Sequence, residues 1–355
     1  MTWYIRKMES SDIESYLSFL SRRITHIQVD KHYRWLYEQN PHGHALTWLS
    51  IHEDTEKIIG CTSIFPRKMW LNGQTVLGCC GGDTFIDPKF RRQGIAKGLH
   101  DMSLDDMRKN GIRFHFGFPV SANLGAFLKA GAYHPGDFKS IRFISGAEAI
   151  LKKINLPHNL MGFFAKGIDL CFKPYFKTVL SRGKSPLGEL RVMQHCDDKF
   201  DELIDEINPL FKICGARDSE YLNWRYFKNP LQAHTLISYE KNGELHGLAA
   251  LEMRGSECVI FDFFARPTDL LVKDFICRIV EYGIHNGAKA VSTIINPSGP
   301  YVQCFKNCGF YSRFGVNKPL MVLTEHDDPN VEEMQKLSNW YLSYSDQDME
   351  AINLR

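Results

Sequence analysis

Asp83-Thr84-Phe85-Ile86-Asp87-Pro88-Lys89-Phe90-Arg91-Arg92-Gln93-Gly94-Ile95-Ala96 is the stretch that decides how this 355-residue chain is read. A strand-like run ends at Pro88, a short basic turn follows, and a helix opens at Gly94. The first N–H groups of a helix have no partner within it and sit at the positive end of its dipole, so such a turn is suited to a diphosphate. Gly94 and Ala96 keep side chains clear of the anion, and Lys89, Arg91, Arg92 and Lys97 supply cationic groups beside it.

Around this turn the pattern predicts strands over 45–51, 57–65 and 75–86, a helix over 91–110, a strand over 114–118 and a helix over 123–130. Leu71-Asn72-Gly73-Gln74 carries hairpin chemistry, and Ile95, Leu99 and Met102 mark the expected apolar stripe of the helix. The same order then recurs. Trp35-Leu36-Tyr37-Glu38-Gln39-Asn40-Pro41 returns as Trp224-Arg225-Tyr226-Phe227-Lys228-Asn229-Pro230, a shift of 189 positions. Asp83 and Pro88 match Asp262 and Pro267 at 179, and Pro119, Phe127 and Gly131 match Pro297, Phe305 and Gly309 at 178. A nearly constant offset over ordered anchors signals duplication. The second copy predicts strands over 234–238, 245–253, 257–265 and 290–295 and helices over 269–286 and 301–307. The expected division is a first module over 1–146, a helical linker over 147–188, a second module over 189–325, and a closing helix and tail over 326–355.

The second copy lacks the glycine turn. Asp269, Leu270 and Leu271 stand where close backbone approach and positive charge are needed, so only the first module is expected to hold a phosphate ligand.

Composition fits two folded units: 44% of residues are apolar and 24% charged, unlike a disordered chain. A net charge of +2 argues against a broad nucleic-acid surface. The ten cysteines lack paired metal-site spacing, so no metal is expected and reduced thiols in a cytoplasmic protein fit best. The N-terminus meets charge at once, without the apolar stretch of a secretory signal. The apolar run over 160–180 is broken by Lys166, Asp169, Lys173 and Pro174, so no transmembrane span is expected. The Lys-rich aromatic part over 163–177 is compatible with peripheral membrane contact.

Arg91-Arg92-Gln93-Gly94-Ile95-Ala96 satisfies [QR]-x-x-G-x-[GA], and in this strand-to-helix setting the first half resembles the GNAT superfamily of acyl-CoA N-acyltransferases. Phe116-Gly117-Phe118-Pro119 through Tyr133 is similar to that family's second coenzyme-side motif. On Tyr-x-Trp near the start, Gly82-Asp83-Thr84 before the basic turn, Phe118-Pro119 before the last helix and the tail from Trp340 to Asp348, the whole chain resembles a two-module subgroup associated with cell-envelope or polysaccharide pathways. The resemblance implies an α/β fold of tandem modules, each a mostly antiparallel splayed sheet with flanking helices. It implies acetyl-CoA or another acyl-CoA as cosubstrate, with the pantetheine arm bonding to the backbone of Thr84, Phe85 and Ile86. The implied coenzyme site adds Arg91, Arg92, Gln93, Gly94, Ile95, Ala96, Asn123 and Phe127.

Attack on a thioester requires a neutral amine and hence a base within reach. Asp83, on the central strand, is the first candidate for base or amine-orienting carboxylate. Asp262, retained in a copy without the basic turn, supports a structural reading of equal weight. Many family members carry a tyrosine that protonates the departing thiolate where this chain has Phe127. Tyr133 is read as a packed aromatic with a satisfied hydroxyl, Cys80 as a structural thiol and His115 as a strand residue. Trp35, Tyr37, Trp224 and Tyr226 read as core more than as acceptor pocket. Asp346 and Asp348 stand either in a solvated tail or near an amine. The acceptor expected is a small amine, an amino sugar or a peptide, and oligomeric state is not readable. A Fem-type aminoacyl-tRNA-dependent peptidyltransferase and a non-catalytic CoA- or partner-binding protein are the competing readings.

Overall fold

The computed structural model describes residues 2–25, 27–146 and 188–347. The linker over 147–187, with its proposed membrane contact, and Asp348 lie outside the described residues.

The first copy contains β1 (Trp3–Lys7), α1 (Ile13–Ser21), a π-helical turn (Tyr33–Glu38), β2 (Leu46–His52), β3 (Ile58–Leu71) and β4 (Gln74–Ile86). It continues through α2 (Ile95–Lys109), β5 (Phe114–Gly117), α3 (Ser121–Lys129) and β6 (Tyr133–Ile144). The second copy follows the same course. It has β7 (Glu189–Val192), α4 (Asp198–Ile207), an added β8 (Ile213–Gly215), a π-helical turn (Asn223–Phe227), β9 (Thr235–Lys241), β10 (Glu244–Arg254) and β11 (Glu257–Ala265). Then come α5 (Asp269–His285), β12 (Ala290–Ile295), α6 (Val302–Asn307), β13 (Tyr311–Thr324) and, in the tail, β14 (Trp340–Tyr341). Both π-helical turns fall on the repeated Trp-x-Tyr segments.

Among the described residues these strands form one mixed sheet, in the order β1-β2-β3-β4-β5-β13-β6-β12-β11-β10-β9-β7, with β8 and β14 attached beside β3. The pairing across the centre is an exchange. β6 and β13 are equivalent by repeat position, and each pairs with the other copy's short strand: β13 with β5, and β6 with β12. They also pair with each other antiparallel. Two modules that read as neighbours along the chain thus share one continuous hydrogen-bonded sheet.

Local sequence explains the elements. Asn72-Gly73 and Asn242-Gly243, all four at positive φ, make two-residue turns between β3 and β4 and between β9 and β10. On α2 the buried line is Ile95, Leu99, Ser103 and Met107, while Met102, expected on the stripe, is 37% exposed. A step of four residues rotates the buried line only slowly, which takes Ser103 inward and leaves Met102 at the rim. β6, β13 and the N-terminal β1 were not among the expected strands.

At the module junction the repeated tryptophans pack as a symmetric pair. The Trp35 and Trp224 rings stack at 4.7 Å between centroids, and each indole Nε1 donates to the other's main-chain oxygen, at 3.2 and 3.1 Å. Their recurrence is a packing requirement, with both rings buried.

Because β5 and β12 each take one neighbour from the other copy, neither half closes its own sheet. Expressed apart, 1–188 and 189–355 are expected to show no cooperative thermal unfolding, whereas co-expressed halves co-purify and melt cooperatively. Two independent transitions from the separate halves would contradict the exchange.

Candidate active site

The site begins where two parallel strands separate. β4 pairs with β5 only at Gly78↔Phe114, Cys79↔His115 and Cys80↔Phe116, while its pairing with β3 continues to Ile86. From Gly81 onward the β5-facing edge of β4 therefore borders a gap. A register shift between Cys61 and Ser63 marks a bulge at this level, where Asp83 adopts φ +49°.

Asp83 anchors that bulge. Its Oδ2 accepts from Tyr37 Oη at 2.7 Å and lies 2.8 Å from His32 Nε2, with both the imidazole and the carboxylate fully buried. Burial works to raise its pKa, but the His32 charge and the hydrogen bonds from His32 and Tyr37 hold it below the ordinary carboxylate value. Asp83 does not line either cavity described below. Asp262 repeats the arrangement: it accepts from Tyr226 Oη at 3.0 Å and pairs with Arg217 at 2.8 Å, beside a register shift in β10 and β11.

At the end of β4 the basic turn leads into α2 through Gly94, whose φ of +86° is the left-handed region that disfavours a side chain. Crowding is not the reason for glycine, since an added Cβ would meet only Trp3, at 4.0 Å. The first helical bond is Gly98 N–H to Gly94 O, so the N–H groups of Ile95, Ala96 and Lys97 have no acceptor within the helix. A cavity of about 570 Å³ opens at this point, lined by Arg23, Thr84, Phe85, Ile86, Phe90, Arg91, Arg92, Gly94, Ile95, Ala96 and Asn123. Nine of the expected coenzyme residues meet there; Gln93 lines neither cavity and Phe127 belongs to the second. Arg23, at the far end of α1, has no local sequence signal linking it to the turn. Arg91 Nε donates to the Ile86 carbonyl at 3.2 Å, and Lys97 pairs with Asp101 at 2.5 Å.

A second cavity of about 560 Å³ shares Thr84, Gly94, Ala96 and Asn123 with the first and continues between α2 and α3 over the gap in the sheet. His100, Ser103, His115, Phe127 and Met321 line it. His115 fills the space over Gly81, where a Cβ would lie 2.7 Å from its Nε2. Burial lowers the pKa of His115 to about 4 and also lowers that of His100, so both are neutral near pH 7. Phe127 sits edge-on between these rings, 5.6 and 6.3 Å from their centroids. Tyr133 bonds His326 Nδ1 at 2.7 Å, which satisfies its hydroxyl away from the cavity.

The corresponding gap in the second copy is filled. β11 and β12 also separate after Val259↔Ser292. Tyr301, which occupies the repeat position of Asn123, bonds both the carbonyl (2.6 Å) and the N–H (3.2 Å) of Ala265, and Tyr341 donates to the Phe263 carbonyl. Separate spaces of about 20 and 130 Å³ are left. Where the first copy has its basic turn, Arg266 is paired with Glu206 and Glu244. The tail also crosses the junction: Asp346, 2% exposed and so not solvated, bonds Arg67 at 3.0 Å and Arg217 at 2.6 Å.

The family described as acetyltransferase (GNAT) domain matches residues 4–129, within the first module. No curated protein matches the sequence. Among solved structures, a probable N-acyltransferase from Enterococcus faecalis superposes with a TM-score of 0.64 at 10% identity, covering 91% of this chain and 73% of that one. A GCN5-related N-acetyltransferase from Anabaena variabilis gives 0.62 at 14% identity, with 90% and 72% covered. Saccharomyces cerevisiae N-myristoyltransferase with bound myristoyl-CoA gives 0.57 at 9% identity, with 96% and 89% covered. At these identities the likeness is one of fold. Among the described residues no His, Cys, Asp and Glu cluster is arranged to hold a metal, no helix is long and apolar enough to cross a membrane, and the nine described cysteines are buried and form no disulfide.

Replacing Asp83 removes the carboxylate charge that pairs with the buried His32 imidazole. Asp83→Asn is expected to cost about 3–5 kcal/mol in denaturant unfolding. Because the folded pKa is depressed, the stability Asp83 contributes is present above the unfolded value near 3.8 and is lost as pH falls through the folded one, so the variant loses less on acidification below pH 4 than the parent.

Proposed function

We propose that the first module transfers an acyl group from an acyl-CoA, acetyl-CoA or a longer one, to a primary amine by direct attack. One observation supports this reading above others: the unsatisfied N–H groups beyond left-handed Gly94 open directly onto a cavity that follows the unpaired edge of β4. The turn suits the coenzyme's diphosphate, and the strand edge offers alternating donors and acceptors to an amide-bearing arm such as pantetheine. Thr84, Phe85 and Ile86 would provide that edge. Main-chain N–H groups there would stabilise the tetrahedral oxyanion.

In this reading Asp83 holds the bulge, and the proton of the attacking amine leaves through solvent or through neutral His115, whose ring faces the cavity. The second module serves as scaffold. Its tail, fixed by Asp346 between two arginines, borders the opposite face of β4, where Cys80 Sγ meets the Asp346 carbonyl at 3.2 Å, and helps shape the acceptor side. The acceptor proposed is a small amine, an amino sugar or a peptide, in the cytoplasm. The glycine turn favours coenzyme A over aminoacyl-tRNA as donor. Phe127, which has no hydroxyl to protonate a thiolate, favours a CoA-binding protein without turnover as the second reading.

Titration calorimetry is expected to give one CoA per chain, because the second gap is filled. Gly94→Glu puts a charged side chain on a left-handed residue and removes at least two charge-assisted hydrogen bonds, so affinity falls by more than about 100-fold with the melting transition retained. Thiol release from acyl-CoA with a panel of amines then separates the two readings: tight CoA binding with no turnover on any amine supports the non-catalytic one.

A further inference from the structure

The acyl-CoA reading implies a donor but not the length of its acyl group, and the shape of the second cavity bears on that. Along β4 its wall runs from Thr84 to Gly81, about 10 Å at the rise of a strand. Along α2 it runs from Gly94 to Ser103, about 13 Å. Across the sheet it reaches from Ile64 on β3 to Met321 on β13, which pairs with Gly117 of β5. That is three strand spacings, about 14 Å. An arm bonded to the free edge of β4 occupies the gap between β4 and β5, and the arm must stop near Gly81, because at Cys80 the two strands close. The part of the cavity beyond β5 is left over.

That surplus is mostly apolar, with two alanines in its wall. Ala126, Phe127 and Ala130 fall on one face of α3, at i, i+1 and i+4, and form its roof. Met321, 2% exposed, forms the floor, and His100 and Ser103 close it toward α2. Of the charged groups lining the cavity, Lys97 stands in the first turn of α2 and is engaged by Asp101, away from this end. Bulkier residues at Ala126 and Ala130 would close the space, and both positions leave it open.

Resting on the acyl-CoA reading, we propose that the donor carries a medium-length aliphatic acyl chain, lodged under α3 between Phe127 and Met321, and not an acetyl group alone. The chain enters past His115 and buries its methylenes against Phe127, Met321 and the two alanines.

The test is binding of CoA, acetyl-CoA, hexanoyl-CoA and decanoyl-CoA to the full chain by calorimetry, a readout that does not require turnover. Affinity is expected to rise about fourfold per methylene from acetyl to hexanoyl. Ala130→Phe, or Ala126→Leu should the first variant fail to fold, is expected to bring the hexanoyl-to-acetyl affinity ratio close to one. A flat series in the parent protein, with CoA itself bound, overturns this inference and leaves the acyltransferase reading standing. A rising series that neither variant alters places the chain elsewhere and also overturns it. Failure of CoA to bind at all overturns both.

Discussion

Everything that makes the first module a candidate enzyme depends on β4 leaving β5 after Cys80 while remaining paired with β3. A parallel strand pair that stayed in register would satisfy every backbone group and leave no edge for a ligand. The parting is enforced by the bulge at Asp83, whose left-handed backbone is an uncommon conformation for a residue with a side chain. The carboxylate holds it there by accepting from Tyr37 and pairing with His32, both on the helical segment that packs against that face. A buried charge paired through Oδ2 in this way is costly to move. The chemistry of Asp83 is thus spent on geometry, and its repetition as Asp262 follows, since both copies must flare.

The exchange of β6 and β13 turns that local feature into a property of the whole chain. β5 is too short to hold the far side of the gap alone, and it is backed by Met321 to Thr324 of the other copy. The tail adds a second link, because Asp346 neutralises Arg67 on β3 and shares Arg217 with Asp262 on β11. The stacked tryptophans provide a third. The second copy therefore walls the first copy's cavity through Met321 and ties onto β3 through its tail even though its own gap is filled.

Much of this was legible in the sequence, and what was not has a common cause. The glycine turn, the repeat and most strands of both meanders are local patterns, written in residues a few positions apart. The nine expected residues that line the cavity at the turn could be named because one short segment carries nearly all of them. β6 and β13 escaped because their partners lie in the other copy, and pairing at that range leaves no periodic mark. Arg23 and Met321 reach the cavities for the same reason. The burial of Asp346 is a tertiary outcome: an acidic residue in a polar tail reads as solvated until two arginines, 279 and 129 positions away, are brought beside it.

The comparison between the two gaps carries the remaining step. The chain has two separated parallel strand pairs with matching edges, and a protein does not leave such an edge buried without partners. In the second copy the requirement is met from within, by the hydroxyls of Tyr301 and Tyr341 on the backbone of Phe263 and Ala265. In the first copy Asn123 stands at the repeat position of Tyr301, and Gly117 replaces Ile295, so the side chains that would fill the gap are absent and a cavity remains. The same fold has thus been closed once with its own tyrosines and once left with an open cavity. That difference, more than the presence of any one titratable residue, is what singles out the first gap as the candidate site.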